Sequence, residues 1–200
     1  MSAAHKPAGK GKLDDKVPED KEQDGTVRLF FALWPDIGTR NALAAWQQKL
    51  LRACGGRAMR PWTLHLTLVF LGNTPEDSLD AVKTAAAGAH GAAFEMMIDR
   101  AGFWPHNRIA WVGCEAVPPA LAALQADLVA RLAAAGISFD AKPFHVHVTL
   151  LRNARPPTRE LPEEKVVWAA REYVLVESKP APDLGPDSSR YEIIARFPLK

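Results

Sequence analysis

The chain is short of the features that would settle its class at a glance. It has two cysteines, Cys54 and Cys114, which form neither a CxxC pair nor a set of zinc ligands. A disulfide scaffold and a zinc ribbon are thereby excluded, and a reducing, cytoplasmic setting is expected. No stretch approaches the roughly 18 apolar residues of a membrane span. The polar N-terminus has no apolar segment of the kind a secretory signal needs, so no membrane partner is expected. There is no P-loop and no GxGxxG, so no motif supports a bound nucleoside triphosphate or dinucleotide; neither cofactor nor metal is expected. Net charge is also scarce, at +2 from 25 basic and 23 acidic side chains. That disfavours a broad duplex-DNA footprint and leaves room for a local basic cleft.

What is present is the composition of a globular protein: 200 residues, 48% apolar and 24% charged. One break interrupts it. Residues 1–25 set five lysines against six acids and hold no large apolar side chain beyond Leu13 and Val17. Such a segment cannot bury enough surface to offset its ordering entropy, so a disordered tail is expected over 1–25 and a single two-lobed domain over 26–200, monomeric.

Within that domain, Val27–Trp34 is an apolar run stopped by Pro35 and reads as a buried strand. Asp36 is placed to cap a helix from Ile37 to Arg52, closed by Gly55-Gly56. Leu64–Leu71 alternates as a strand does and stops at Gly72-Asn73; Thr74-Pro75-Glu76 then opens an Ala-rich helix. Strand-like runs follow at Phe94–Phe103 and Arg108–Cys114. A helix starts at Val117-Pro118-Pro119 and ends before Gly136, and Phe144–Leu151 is the next strand. Val166–Trp168, Tyr173–Glu177 and Tyr191–Phe197 complete the strands. Strand, helix and histidine-bearing strand thus occur twice. The pattern predicts an α+β fold of two pseudo-symmetric lobes, each an antiparallel sheet with helices on the outside, facing each other across a central cleft.

The chemistry is concentrated in His65-Leu66-Thr67-Leu68 and His147-Val148-Thr149-Leu150, whose histidines stand 82 residues apart. Residues i and i+2 of a strand share a face, so each strand offers an imidazole and a hydroxyl together and turns its apolar residues the other way. Chance gives only about 0.025 copies of His-x-Thr-Leu in a chain of this composition. Two imidazoles meeting in one cleft suit the hydrolysis of a phosphodiester. One takes a proton from water and the other protonates the leaving oxygen, both near their ordinary titration range. Threonine hydroxyls can donate to the non-bridging oxygens.

These residues resemble a known family, the 2H phosphoesterases, and within it the RNA 2′,3′-cyclic phosphodiesterase (2′-5′ RNA ligase-like) group. Arg28–Pro35 looks like that group's opening strand. Leu64–Gly72 matches its first motif, and Phe144–Arg152 is similar to its second, departing at Val146, where the group usually has proline. The resemblance implies hydrolysis of a 2′,3′-cyclic phosphate on RNA or a nucleotide to a 2′-phosphomonoester without a metal. It implies His65 as proton donor to the leaving 3′ oxygen, His147 as proton acceptor, and Thr67 and Thr149 as phosphate ligands. The family also includes members that join or break 2′-5′ RNA linkages, an activity the motifs do not assign.

Other candidates are less constrained. Arg152 lies five residues past His147, an odd offset that points it to the opposite face of a regular strand. It reaches phosphate only if the strand ends or bulges there, as the family pattern suggests. Phe144 is a candidate platform for a base. Arg60, Arg108, Lys142 and Arg155 are candidate charges along an RNA path. Two rival readings remain: a zinc hydrolase built on His65, His145 and His147, and a non-catalytic module that captures RNA ends.

Overall fold

The computed structural model describes residues 25–184 and 189–200. The expected tail over 1–25 lies outside the described residues apart from Gly25.

Strand β1 (Thr26–Leu33) is apolar along its length because both of its faces are covered. Leu29, Phe31 and Leu33 enter the main core, while Phe30 and Ala32 join a smaller cluster with Val174 and Val176. Helix α1 (Ile37–Cys54) begins at its cap: the Asp36 carboxylate accepts the Thr39 N–H at 2.7 Å. Its buried stripe is Leu43, Trp46, Gln47 and Leu50. A two-residue strand β2 (Arg57–Ala58) and a 3-10 turn at Pro61–Thr63 lead to β3 (Leu66–Pro75).

Here the structure corrects the sequence. Gly72-Asn73 does not stop β3. Gly72 takes φ +72°, and Leu29 pairs with Gly72 while Phe30 pairs with Phe70, so Leu71 is an extra residue that bulges out and the strand continues. Helix α2 (Leu79–Ala87) therefore starts later than Thr74. The expected strand Phe94–Phe103 is two strands, β4 (Phe94–Ile98) and β5 (Arg100–Trp104). They part at Asp99, whose carboxylate accepts the Glu115 N–H at 2.9 Å. β6 (Ile109–Gly113), α3 (Pro119–Ala134), β7 (Val148–Arg152), β8 (Val166–Ala170), β9 (Glu172–Pro180) and β10 (Ser189–Pro198) follow.

Every strand pairing is antiparallel, in the order β10-β9-β1-β3-β7-β6-β5, with β2 beside β7 and β4 paired to β8 apart from the main sheet. The fold is α+β, as the sequence predicts, and its two lobes meet where β3 adjoins β7. Helices α1 and α3 are exchanged between them. α1 follows β1 but packs on β7 and β8; α3 follows β6 but packs on β3 and α2. Leu43, Trp46 and Leu50 of α1 and Leu121, Leu124, Leu128 and Leu132 of α3 consequently share one core. Among the described residues, no helix is long and apolar enough to cross a membrane.

Candidate active site

Leu66 and Val148 form the single registered pair between β3 and β7, and both are fully buried. Carrying that antiparallel register one residue either way sets His65 across from Thr149 and Thr67 across from His147. Neighbours of a buried strand residue point to the other face, so these four side chains share the surface opposite Leu66 and Val148, and all four are partly exposed. A local twofold axis through the Leu66–Val148 rung relates the two pairs.

The histidines stand one residue ahead of β3 and β7, not inside them as the sequence suggests; pairing begins at Leu66 and Val148 rather than at Leu64 and Phe144. Both rings are held alike. His65 Nδ1 lies 2.7 Å from the Thr63 carbonyl, and His147 Nδ1 lies 2.8 Å from the His145 carbonyl. A carbonyl only accepts, so Nδ1 carries the hydrogen in each case and Nε2 remains for proton exchange. The segment before His147 runs tight against β6: a Cβ on Gly113 would come within 2.3 Å of the Val146 carbonyl.

The odd offset of Arg152 is resolved by a bulge. Trp111 pairs with Thr149 but Ala110 pairs with Leu151, so Leu150 is extra and the alternation of faces skips a step. Leu150 and Leu151 are both buried, and Arg152 emerges on the side of Thr149. β3 repeats the device at Leu68: Ala32 pairs with Thr67 and Phe31 with Val69, which brings Phe70 to the same face. The β7 bulge is pinned from the other lobe. Its Leu150 carbonyl accepts the Met59 N–H at 2.9 Å and the Gln47 side-chain amide at 2.8 Å. Gln47 also donates to the Met59 carbonyl at 2.8 Å.

Aromatic rings wall the site. The Trp34 indole stacks on His65 at 5.4 Å and 5°, Tyr191 meets it edge-on at 5.3 Å, and Phe30 lies at 4.8 Å. Across the site, Trp104 stands edge-on to His147 at 4.7 Å. The surroundings favour uncharged rings. Burial pushes His65 down to about 4; its bond to Thr63 opposes this, and the charges of His147 and Arg152 lower it further. His147 is lowered by burial first, then by His145 and Arg152, against the upward pull of its backbone bond. Burial raises the Tyr191 hydroxyl, while Arg152 and Arg28 draw it down. Arg152 thus acts electrostatically on three groups of one site.

Other expected residues are placed elsewhere. Phe144 is half-buried against the main core, and no ring contact joins it to either histidine. Arg108 donates to the Ala154 and Asn153 carbonyls, and Lys142 pairs with Asp140. His65, His145 and His147 do not converge: among the described residues, no three His, Cys, Asp or Glu side chains are grouped to hold a metal ion. Trp34, Tyr191, Trp104 and Gln47 carry no local signal of their roles. They come from separate elements, and only the tertiary fold assembles them.

An antiparallel α+β fold whose lobes each hand a His-x-Thr pair to one shared face defines a class of two-histidine proteins. The chain belongs to the 2′-5′ RNA ligase superfamily, whose family model matches residues 34–179. It is 33% identical over 174 residues to the RNA 2′,3′-cyclic phosphodiesterase of Escherichia coli K12, covering 86% of this chain and 96% of that one. It is 30% identical over 185 residues to the protein of the same name from Thermus thermophilus, covering 87% and 91%. Among solved structures, apo E. coli LigT superposes with a TM-score of 0.77 at 30% identity over 88% of this chain and 98% of that one. LigT complexed with 3′-AMP gives 0.76 at 30% identity over 87% and 98%.

Proposed function

We propose that this chain hydrolyses the 2′,3′-cyclic phosphate at an RNA or nucleotide end to a 2′-phosphomonoester. The reading rests above all on the four side chains around the Leu66–Val148 rung, two imidazoles and two hydroxyls on one face. The names of the E. coli and T. thermophilus relatives support the substrate class.

His147, held neutral by its surroundings, takes a proton from water on Nε2 as the water oxygen attacks phosphorus. The bond from phosphorus to the 3′ oxygen breaks, and His65 gives that oxygen the proton on its Nε2. Water supplies the new phosphate oxygen, and the products are a 2′-phosphate and a free 3′ hydroxyl. Thr67 and Thr149 donate to the non-bridging oxygens, and the Arg152 guanidinium balances the charge that develops there. His65 must enter the reaction protonated although its buried surroundings favour the neutral form. The anionic cyclic phosphate supplies the difference, because an opposite charge at contact distance favours the imidazolium.

The test is direct. Incubation with cytidine 2′,3′-cyclic phosphate should yield cytidine 2′-phosphate, with turnover that survives a chelator. His65→Ala and His147→Ala should each lower kcat by about 10²–10⁴. A histidine variant that folds and keeps near-normal turnover would overturn the two-imidazole mechanism.

A further inference from the structure

Of the six tryptophans, Trp46 and Trp168 are buried and Trp34, Trp104 and Trp111 are partly covered; Trp62 alone lies open, with 61% of its surface exposed. It is not on an indifferent surface. A cavity of about 560 Å³ opens beside it, lined by Arg60, Trp62, Thr63, Ser189, Arg190 and Tyr191. Two of these residues touch His65. Tyr191 touches the His65 ring, and the Thr63 carbonyl holds His65 Nδ1. The cavity therefore adjoins the histidine site on the His65 side.

Its chemistry is that of a single-stranded nucleic-acid subsite: an exposed indole beside one guanidinium, with a second guanidinium lining the same cavity. Arg60 has its guanidinium carbon 6.0 Å from the Trp62 ring centre and donates to the Leu184 carbonyl at 2.7 Å. That bond uses one of five N–H donors and fixes the group at the cavity wall. Arg190 is paired with Asp183 at the rim, both well exposed, an ion pair that an arriving phosphate can exchange at little cost.

We infer that this cavity holds the nucleotide on the 5′ side of the reacting end, with its base on Trp62 and its phosphate between Arg60 and Arg190. The inference rests on the proposed action on RNA ends and adds a second point of contact to it. A terminal nucleotide fills the histidine site alone, whereas a longer RNA occupies both sites.

The experiment compares adenosine 2′-phosphate with a tri-adenylate ending in a 2′-phosphate, using calorimetry and tryptophan fluorescence on the full chain. The trinucleotide should bind roughly tenfold or more tightly and quench Trp62 emission. Trp62→Ala should remove that advantage and leave mononucleotide affinity as it was. Arg190→Gln should reduce the advantage and flatten its salt dependence. Equal affinity for the two ligands, an advantage that survives Trp62→Ala, or equal loss for both ligands would each overturn the subsite. Turnover of the cyclic mononucleotide is judged separately. If it fails while the Trp62-dependent preference holds, the hydrolase reading falls and the subsite stands. If turnover is found without the preference, the subsite falls and the hydrolase reading stands.

Discussion

Leu66 and Val148 face each other across the junction of the two lobes, and both histidine–threonine pairs are placed by that one rung of the sheet. On the proposed mechanism, the spacing of the reacting groups depends on two buried aliphatic side chains that themselves do no chemistry. Leu66→Ala should destabilise the fold by about 2–5 kcal/mol, as expected when a fully buried leucine is truncated. It should also lower kcat in the protein that remains folded, whereas an equally buried truncation at Leu128 on α3 should cost stability alone. Urea denaturation together with kcat at saturating substrate separates the two. Equal kcat in both variants would show that the rung does not set the spacing.

Arg152 and Phe70 are counterparts, each five residues past its histidine and each delivered by a bulge. Only one is charged. Arg152→Gln should lower kcat/KM about a hundredfold or more, the scale of a lost donor to a developing oxyanion. Because its charge lowers His65 and His147, its removal should also move the histidine-governed limbs of the kcat/KM–pH profile upward. Phe70→Leu should leave those limbs in place. An unmoved profile in Arg152→Gln would deny the guanidinium its place among the histidines.

The His65 ring titrates near 6.5 when unfolded and near 4 in the folded chain. Between those pH values the unfolded state holds more protons, so stability should fall as pH drops from about 6.5 toward about 4. His65→Gln should lose this ring's share of that dependence. Binding of an anionic 2′-nucleotide should reverse the balance and draw a proton onto His65. Calorimetric titration near pH 5.5 in two buffers of different ionisation heat should reveal proton uptake by the wild type and a smaller uptake by His65→Gln. Heats independent of buffer would reject substrate-driven protonation.

Gln47 ties α1 to the β7 bulge through the Leu150 and Met59 carbonyls. Gln47→Leu keeps the volume and removes the donor. It should cost about 1–3 kcal/mol for carbonyls left without that partner. It should also raise KM through a displaced Arg152, with the Nδ1 anchors of both histidines untouched. Denaturation midpoints and steady-state kinetics on the same preparation check both effects. Unchanged KM would mean that the bulge holds without α1.

How much of this was legible in advance follows from the range of each signal. A strand's two-residue period is local, so His65 and Thr67 could be put on one face, and His147 with Thr149, from sequence alone. Asp36 as a cap and the leucine stripe of α3 are local in the same sense. Bulges are not: whether Leu68, Leu71 or Leu150 is extra depends on the partner strand, and face-counting therefore sent Arg152 to the wrong side. The break at Asp99 depends on β8, some 70 residues on in sequence. The aromatic walls around the histidines come from residues with no common spacing. Trp34 and Tyr191 become neighbours only when β1, β9 and β10 are laid side by side.

The exchange of helices has a consequence for how such a protein can be taken apart. Each lobe's sheet is covered in part by a helix that follows a strand of the other. A chain severed between α2 and β4 would yield two fragments, each with a bare apolar surface and one of the two histidine–threonine pairs. They would regain both only by finding one another, which makes the molecule a natural candidate for a split reporter that lights up on reunion.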